Sequence, residues 1–186
     1  MTLYSSATIN SVSYDATNKL LESINVSSSL AQENFTSASF EAKFDNTNGT
    51  YASTFSVGQD VQIKLDTTAS PTTLIFRGTI ESIEPESVPN REYLVLRGRD
   101  YSSKLADVTA LETYLNTEVS VIVTNLISKY VNTPTTQITV ANVQVTTKTL
   151  TNITFKRKPL FECIKLLAEL VDFDFMVINT GTNSLP

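Results

Sequence analysis

Apolar residues recur at every second position through the first hundred residues and at helical spacing through much of the rest. Leu20, Ile24 and Val26 suggest one strand, and Ser39 to Phe44 suggests another, with Phe40, Ala42 and Phe44 on one face and Glu41 and Lys43 on the other. Val61, Ile63 and Leu65 alternate with Gln62, Lys64 and Asp66. In Leu74 to Ile80 the large residues Leu74, Phe76 and Ile80 alternate with Arg77, Thr79 and Glu81. Such a period of two predicts half-buried strands. Gly78 stands where the apolar face should carry a large side chain, which predicts a close backbone approach or a bend, as at a barrel corner. Pro85 and Pro89 predict a loop between them, since neither has a backbone donor. From Arg91 to Arg97 the chain is extended again, and Gly98 is expected to end that strand. Asp100 then caps a short helix from Tyr101 to Ala106.

After Asp107 the period lengthens. Val119, Ile122, Val123, Leu126, Ile127 and Tyr130 predict an amphipathic helix over 118–131, capped by Thr117 and stopped by Pro134. A second helix starts near Pro159 and aligns Leu160, Phe161, Ile164, Leu167, Ala168 and Val171. Ile138 to Val145, Leu150 to Phe155 and Phe173 to Ile178 are expected as strands. The fold class is therefore α+β: an N-terminal antiparallel β-barrel over 1–106, then a small α/β unit over 107–186 with two amphipathic helices packed on a short sheet.

The motif pair Phe76-Arg77-Gly78-Thr79-Ile80 and, about twenty residues later, Leu96-Arg97-Gly98-Arg99-Asp100-Tyr101 fits one hairpin. Together with the upstream Val57-Gly58-Gln59-Asp60-Val61 and the downstream helices, it resembles the first barrel of the baseplate hub proteins of tailed bacteriophages. These are similar to the late control protein D group and to the spike-carrying hubs of contractile injection systems, the cell-puncturing devices. The resemblance spans about 3–180 and is strongest over 57–131. It implies a tail-tube-like barrel with a neighbouring α/β unit. It further implies a structural virion protein at the tail tip or baseplate, a trimer that joins the six-fold tail tube to a three-fold spike or tip protein. Arg97, Arg99, Asp100 and Tyr101 become interface candidates on this resemblance alone. Family members continue into a second tube-like barrel. The residues Asn179 to Pro186 look like the start of another hairpin turn, so that barrel is expected from sequence beyond Pro186 or from a separate polypeptide.

Composition narrows the chemistry. The chain has no histidine and one cysteine, Cys163, which removes internal disulfides, Ser-His and Cys-His pairs and the common zinc sites. Its net charge is −5, so no nucleic-acid footprint shows in the total, and no sequence-specific nucleic-acid binding is expected. No apolar run is long enough to span a membrane, and the N-terminus lacks the basic-then-apolar pattern of a secretory leader. The glycosylation tripeptides at Asn25, Asn34, Asn48 and Asn152 read as chance in a chain rich in Ser, Thr and Asn.

Glu81, Glu84 and Glu86 read as solvated acids, not as a catalytic pair. The Asp45 to Gly49 run lacks the remaining ligands of a calcium loop and reads as a turn. Asp172 and Asp174 on one strand face make too weak a cation site. Lys156, Arg157 and Lys158 form the only dense basic run, just ahead of a helix, and Cys163 reads as a buried, inert thiol. With no nucleophile and base, no metal cage and no phosphate loop, the chain is expected to be no enzyme and to need no cofactor. A sugar-binding β-sandwich from a tail fibre or cell surface is the alternative, although no Trp is present to form its platform. A hydrolase fragment completed by another chain is the other rival.

Overall fold

The computed structural model describes residues 2–15, 21–27, 37–132, 138–175 and 177. Leu20, Asn34, Pro134, Ile178 and the turn expected after Asn179 lie outside the described residues. The described chain forms two compact units, Met1–Asp100 and Tyr101–Ile178.

The first unit holds β1 (Tyr4–Ile9), β2 (Val12–Asp15), β3 (Leu21–Ser27), β4 (Ser39–Asp45), β5 (Asp60–Asp66), β6 (Thr73–Val88) and β7 (Arg91–Asp100). They make one seven-stranded antiparallel sheet in the order β2-β1-β5-β6-β7-β4-β3. β4 buries Phe40, Ala42 and Phe44, as its alternation predicts. β5 buries Val61 and Ile63 on the same core, and β6 adds Phe76 and Ile80. The Asp45–Gly49 run is a turn: Thr47 donates its backbone N–H and its hydroxyl to Asp45, and Gly49 adopts a φ of 68°.

No closed barrel is found among the described residues, because no ladder joins the edge strands β2 and β3. The sheet is nonetheless curled round a single core. Tyr14 on edge strand β2 meets Phe44 on β4 with ring centroids 5.4 Å apart, and Leu21 on β3 lies in the same cluster. Bulges at Ile63/Lys64, Ile80/Ser82 and Leu21/Ser23 supply the curl, since each raises the local twist.

Several local expectations give way. β6 runs straight through Pro85, which pairs in register with Leu94, and the turn shrinks to Pro89-Asn90, with Asn90 at φ 67°. Beyond Ile80, β6 has β7 as its only neighbour among the described residues, and a strand with one open side tolerates proline. Gly98 does not end β7. It lies inside the ladder between Phe40 and Ile80. Asp100 is still strand, pairs with Gly78 and donates its N–H to the Ala38 carbonyl at 2.9 Å. The short helix therefore starts later, as α1 (Ser103–Asp107), and its N-cap Ser102 makes no side-chain capping bond.

In the second unit β8 (Thr109–Glu118) and β9 (Thr149–Pro159) form a two-stranded antiparallel sheet. Against one face pack α2 (Val119–Tyr130) and α3 (Leu160–Val171), both where the helical period places them. Ile122, Leu126, Leu160 and Leu167 are among the largest side chains buried there. The expected strands at Ile138–Val145 and in the described part of Phe173–Ile178 are absent. Their apolar residues Val140, Val143, Phe175 and Val177 pack on the core without joining a ladder. β8 went unforeseen, and Thr117 is no cap.

Candidate interaction face

On β4, β7 and β6 the side chains pointing away from the core form a charged face. Glu41 and Arg97 are register partners, as are Lys43 and Val95, and Val95 and Glu84. Arg97 Nε donates to Glu41 Oε2 at 2.8 Å, and its Nη1 donates to Glu84. Hydrogen bonds to Glu41 and then Glu84 raise the Arg97 pKa further, so this guanidinium carries its charge at every accessible pH. Arg99 grips Glu81 with both Nε and Nη2, at 2.9–3.1 Å. Lys43 reaches Glu86 at 2.8 Å and also lies 4.1 Å above the Tyr93 ring.

These pairs span strands: Arg97 ties β7 to both β4 and β6, Arg99 ties β7 to β6 again, and Lys43–Glu86 reaches from β4 across β7 to β6. Val95 stands in register between Lys43 and Glu84 and is only 2% exposed although it lies on the charged side of the sheet. The aliphatic stems of Lys43 and Arg97 are the kind of cover that long charged side chains provide. Exposed ion pairs contribute about 0–1 kcal/mol each. The face is therefore rigidly dressed more than strongly stabilised.

Of the four interface candidates, Arg97 and Arg99 stand on this face with their charge matched by acids of the same chain. Asp100 closes the strand behind them. Tyr101 is placed apart: it is buried and belongs to the core of the second unit. The motif's other arginine, Arg77, is buried and donates from Nε to Asp60 Oδ1 at 3.1 Å. This long-range pair joins two of the stretches that carry the resemblance, Val57–Val61 and Phe76–Ile80, yet only the register of β5 on β6 brings its members together.

Glu81, Glu84 and Glu86 are each bound to a basic side chain. In the second unit Glu112 is held below the usual carboxylate range by bonds from Lys129 and then Tyr130. Glu118 is lowered first by the Thr147 amide and then by the Ser120 hydroxyl. It also accepts from Thr146, so one carboxylate pins the chain ahead of β9 to the start of α2. Burial pushes the Cys163 thiol up to about 11, far from a reactive thiolate. Among the described residues no cluster of three or more His, Cys, Asp or Glu is arranged to hold a metal ion. A cavity of about 350 Å³ opens in the second unit beside α2 and α3, with Val119, Val123, Ile164 and Val171 on its walls and Asp172 and Asp174 among its lining residues. Among the described residues no helix is long and apolar enough to cross a membrane.

A curled antiparallel sheet followed by a helix-backed hairpin is an α+β fold. The chain resembles the 43 kDa tail protein of prophage MuSo2 from Shewanella oneidensis, with a TM-score of 0.61 at 14% identity, over 91% of this chain and 48% of that one. It also resembles a tail protein from Neisseria meningitidis MC58, with a TM-score of 0.59 at 14% identity, over 90% of this chain and 46% of that one. The chain thus spans about half the length of these tail proteins and shares their fold over that half. No known family profile matches it. No curated protein matches it in sequence either.

Proposed function

We propose that this chain is a structural protein of a phage tail, placed at the tail tip or baseplate hub, where it joins the six-fold tube to a three-fold spike or tip complex. The observation that carries the reading is the pairing of two units, curled sheet and helix-backed hairpin, in the order shared with tail proteins along nine-tenths of the chain. The motifs Phe76–Ile80 and Leu96–Tyr101 support it from a separate direction, since they lie on adjacent strands of that sheet. The role is mechanical. The chain works as a trimer, with the tube protein and the tip protein as partners, and performs no hydrolysis.

Electron cryomicroscopy of purified particles, with an antibody fragment against this chain as marker, tests the proposal. Three copies at the tip end of the tube are expected. Six copies in a six-fold ring along the tube, or absence of the chain from finished particles, would refute it.

A further inference from the structure

The basic run Lys156-Arg157-Lys158 has no part in the charged face described above. In the structure Ala110 pairs with Lys158 and Leu111 with Lys156, so Arg157 is the extra residue of a bulge. Its φ of 51° lies in the left-handed region, uncommon for any residue but glycine. A bulge of this kind re-aims a side chain and interrupts the ladder. Arg157 and Lys156 are both exposed, and neither has an ion-pair partner among the described residues. The other four arginines, Arg77, Arg91, Arg97 and Arg99, each meet a carboxylate.

The same sheet face carries apolar residues. Leu111 and Leu115 are 61% and 63% exposed on β8, on the side away from the helices. Leu111, Thr113, Thr154, Lys156 and Arg157 line a shallow groove of about 440 Å³. The bases and Leu111 lie at one end of the groove and the Thr113–Thr154 pair at the other. A nucleic-acid backbone would call for a track of bases along the whole surface. Leucines with charge confined to one end suit a protein surface that is acidic at one end.

This chain possesses such a surface. Residues 1–100 contain 12 acidic and 7 basic side chains, whereas residues 101–186 contain 7 of each, so the whole net charge of −5 belongs to the first unit. Part of the surplus gathers at one end of its sheet. Glu22 lies 3.9 Å from Arg91, Asp45 is the register partner of Tyr93, and the Glu92 carbonyl accepts the Asn46 N–H. Glu22 and Asp45 thus act on one guanidinium, and the exposed Glu92 belongs to the same end of the sheet.

We propose that the outer face of the β8–β9 hairpin docks on this acidic end of the first unit in a second copy of the chain. The contact is head-to-tail, and repetition of a head-to-tail contact closes into a ring when the rotation per copy allows it. The inference rests on the reading of the chain as a self-assembling tail component, and it assigns that assembly a surface.

Sedimentation velocity of the full chain tests it, from ~1 to ~100 μM, at about 50 mM and about 500 mM salt. The wild type is expected to associate, and to do so less at high salt. Lys156→Glu with Arg157→Glu is expected to weaken association at least tenfold, as is Leu111→Asp. All three positions are exposed, and circular dichroism checks that each variant stays folded. Mixing the Lys156→Glu/Arg157→Glu protein with a Glu22→Lys/Glu92→Lys protein should restore mixed assemblies. A wild type that stays monomeric throughout, or association that the reversed charges leave unchanged, overturns the docking surface. So does binding of a short DNA duplex that depends on Lys156 and Arg157 while self-association does not. Association that is abolished by these variants in a protein absent from tail tips would leave the docking surface standing and remove the hub function.

Discussion

Gly78 and Gly98 lie on adjacent strands where β6 and β7 pass each other without side chains between them. A Cβ built on Gly78 would sit 2.1 Å from the Arg99 carbonyl oxygen and 2.7 Å from the Asp100 Cα. A Cβ on Gly98 would sit 1.9 Å from the Thr79 carbonyl oxygen and 2.9 Å from the Phe40 ring. In both cases the obstacle is the backbone of the partner strand. It cannot swing aside as a side chain would; the ladder has to part. Overpacking a filled core costs about 1–3 kcal/mol, and each ladder hydrogen bond lost with it adds about 0.5–1.5 kcal/mol. Gly78→Ala and Gly98→Ala should therefore each cost about 2–4 kcal/mol, against the gain of up to about 1 kcal/mol that Gly→Ala brings where the space is free. Since one displacement of the two strands relieves both clashes, the double variant should cost less than the sum of the singles. Urea unfolding of the first unit, followed by a tyrosine signal, measures all three. A Gly78→Ala protein with a wild-type midpoint would refute the close approach, and strictly additive losses would refute the shared crossing.

Ile122→Asp and Leu167→Asp each put a charge at a fully buried position of the second unit. Hydrogen exchange should show protection lost from Tyr101 onward while β4–β7 stay protected, and uniform loss would mean that the units do not unfold separately. The Glu118 carboxylate has a lowered folded pKa, so its contribution to stability is complete above the unfolded value of about 4.3 and is lost as pH falls through the folded value. Glu118→Gln should remove that acid-side component, seen as a flatter stability curve between neutral pH and the acid limb. The purified chain should release nothing from cell-wall fragments. Activity that vanished on replacing Glu81, Glu84 or Glu86 would contradict the mechanical role.

Periodicity located β4, β5, α2 and α3 because each has one buried face and one wet one, the condition under which alternation and helical spacing carry information. β8 breaks that condition. Its inward side carries Ala110, Glu112 and Tyr114, and its outward side carries Leu111 and Leu115, so the larger aliphatics point the wrong way for a reader who expects them inside. Ile138–Val145 errs in the opposite sense, with apolar residues that fill the core from an irregular segment. Pro85 misled because the donor it lacks matters less in a strand with one neighbour. Gly78 was legible as a gap in an apolar face; Gly98 was not, since Tyr93 to Leu96 are apolar on both faces and Arg97 and Arg99 flank it, so no alternation marks the gap. The Arg77–Asp60 pair and the ion pairs around Arg97 depend on strand register, which no local stretch encodes. The fold reading erred most on closure, because the ladder between the last two strands is a property of the whole sheet.

The burial of Cys163 has a practical consequence. Its sulfur lies in the core of the second unit and donates to the Lys158 carbonyl at 3.7 Å, and no other cysteine exists in the chain. A maleimide or disulfide reagent therefore meets no accessible sulfur on the native protein. A cysteine introduced at the rim of either unit can carry a fluorophore or a spin label with the native residue left in place. Thiol modification of the unaltered chain, when it does occur, becomes a clock for how often the second unit opens.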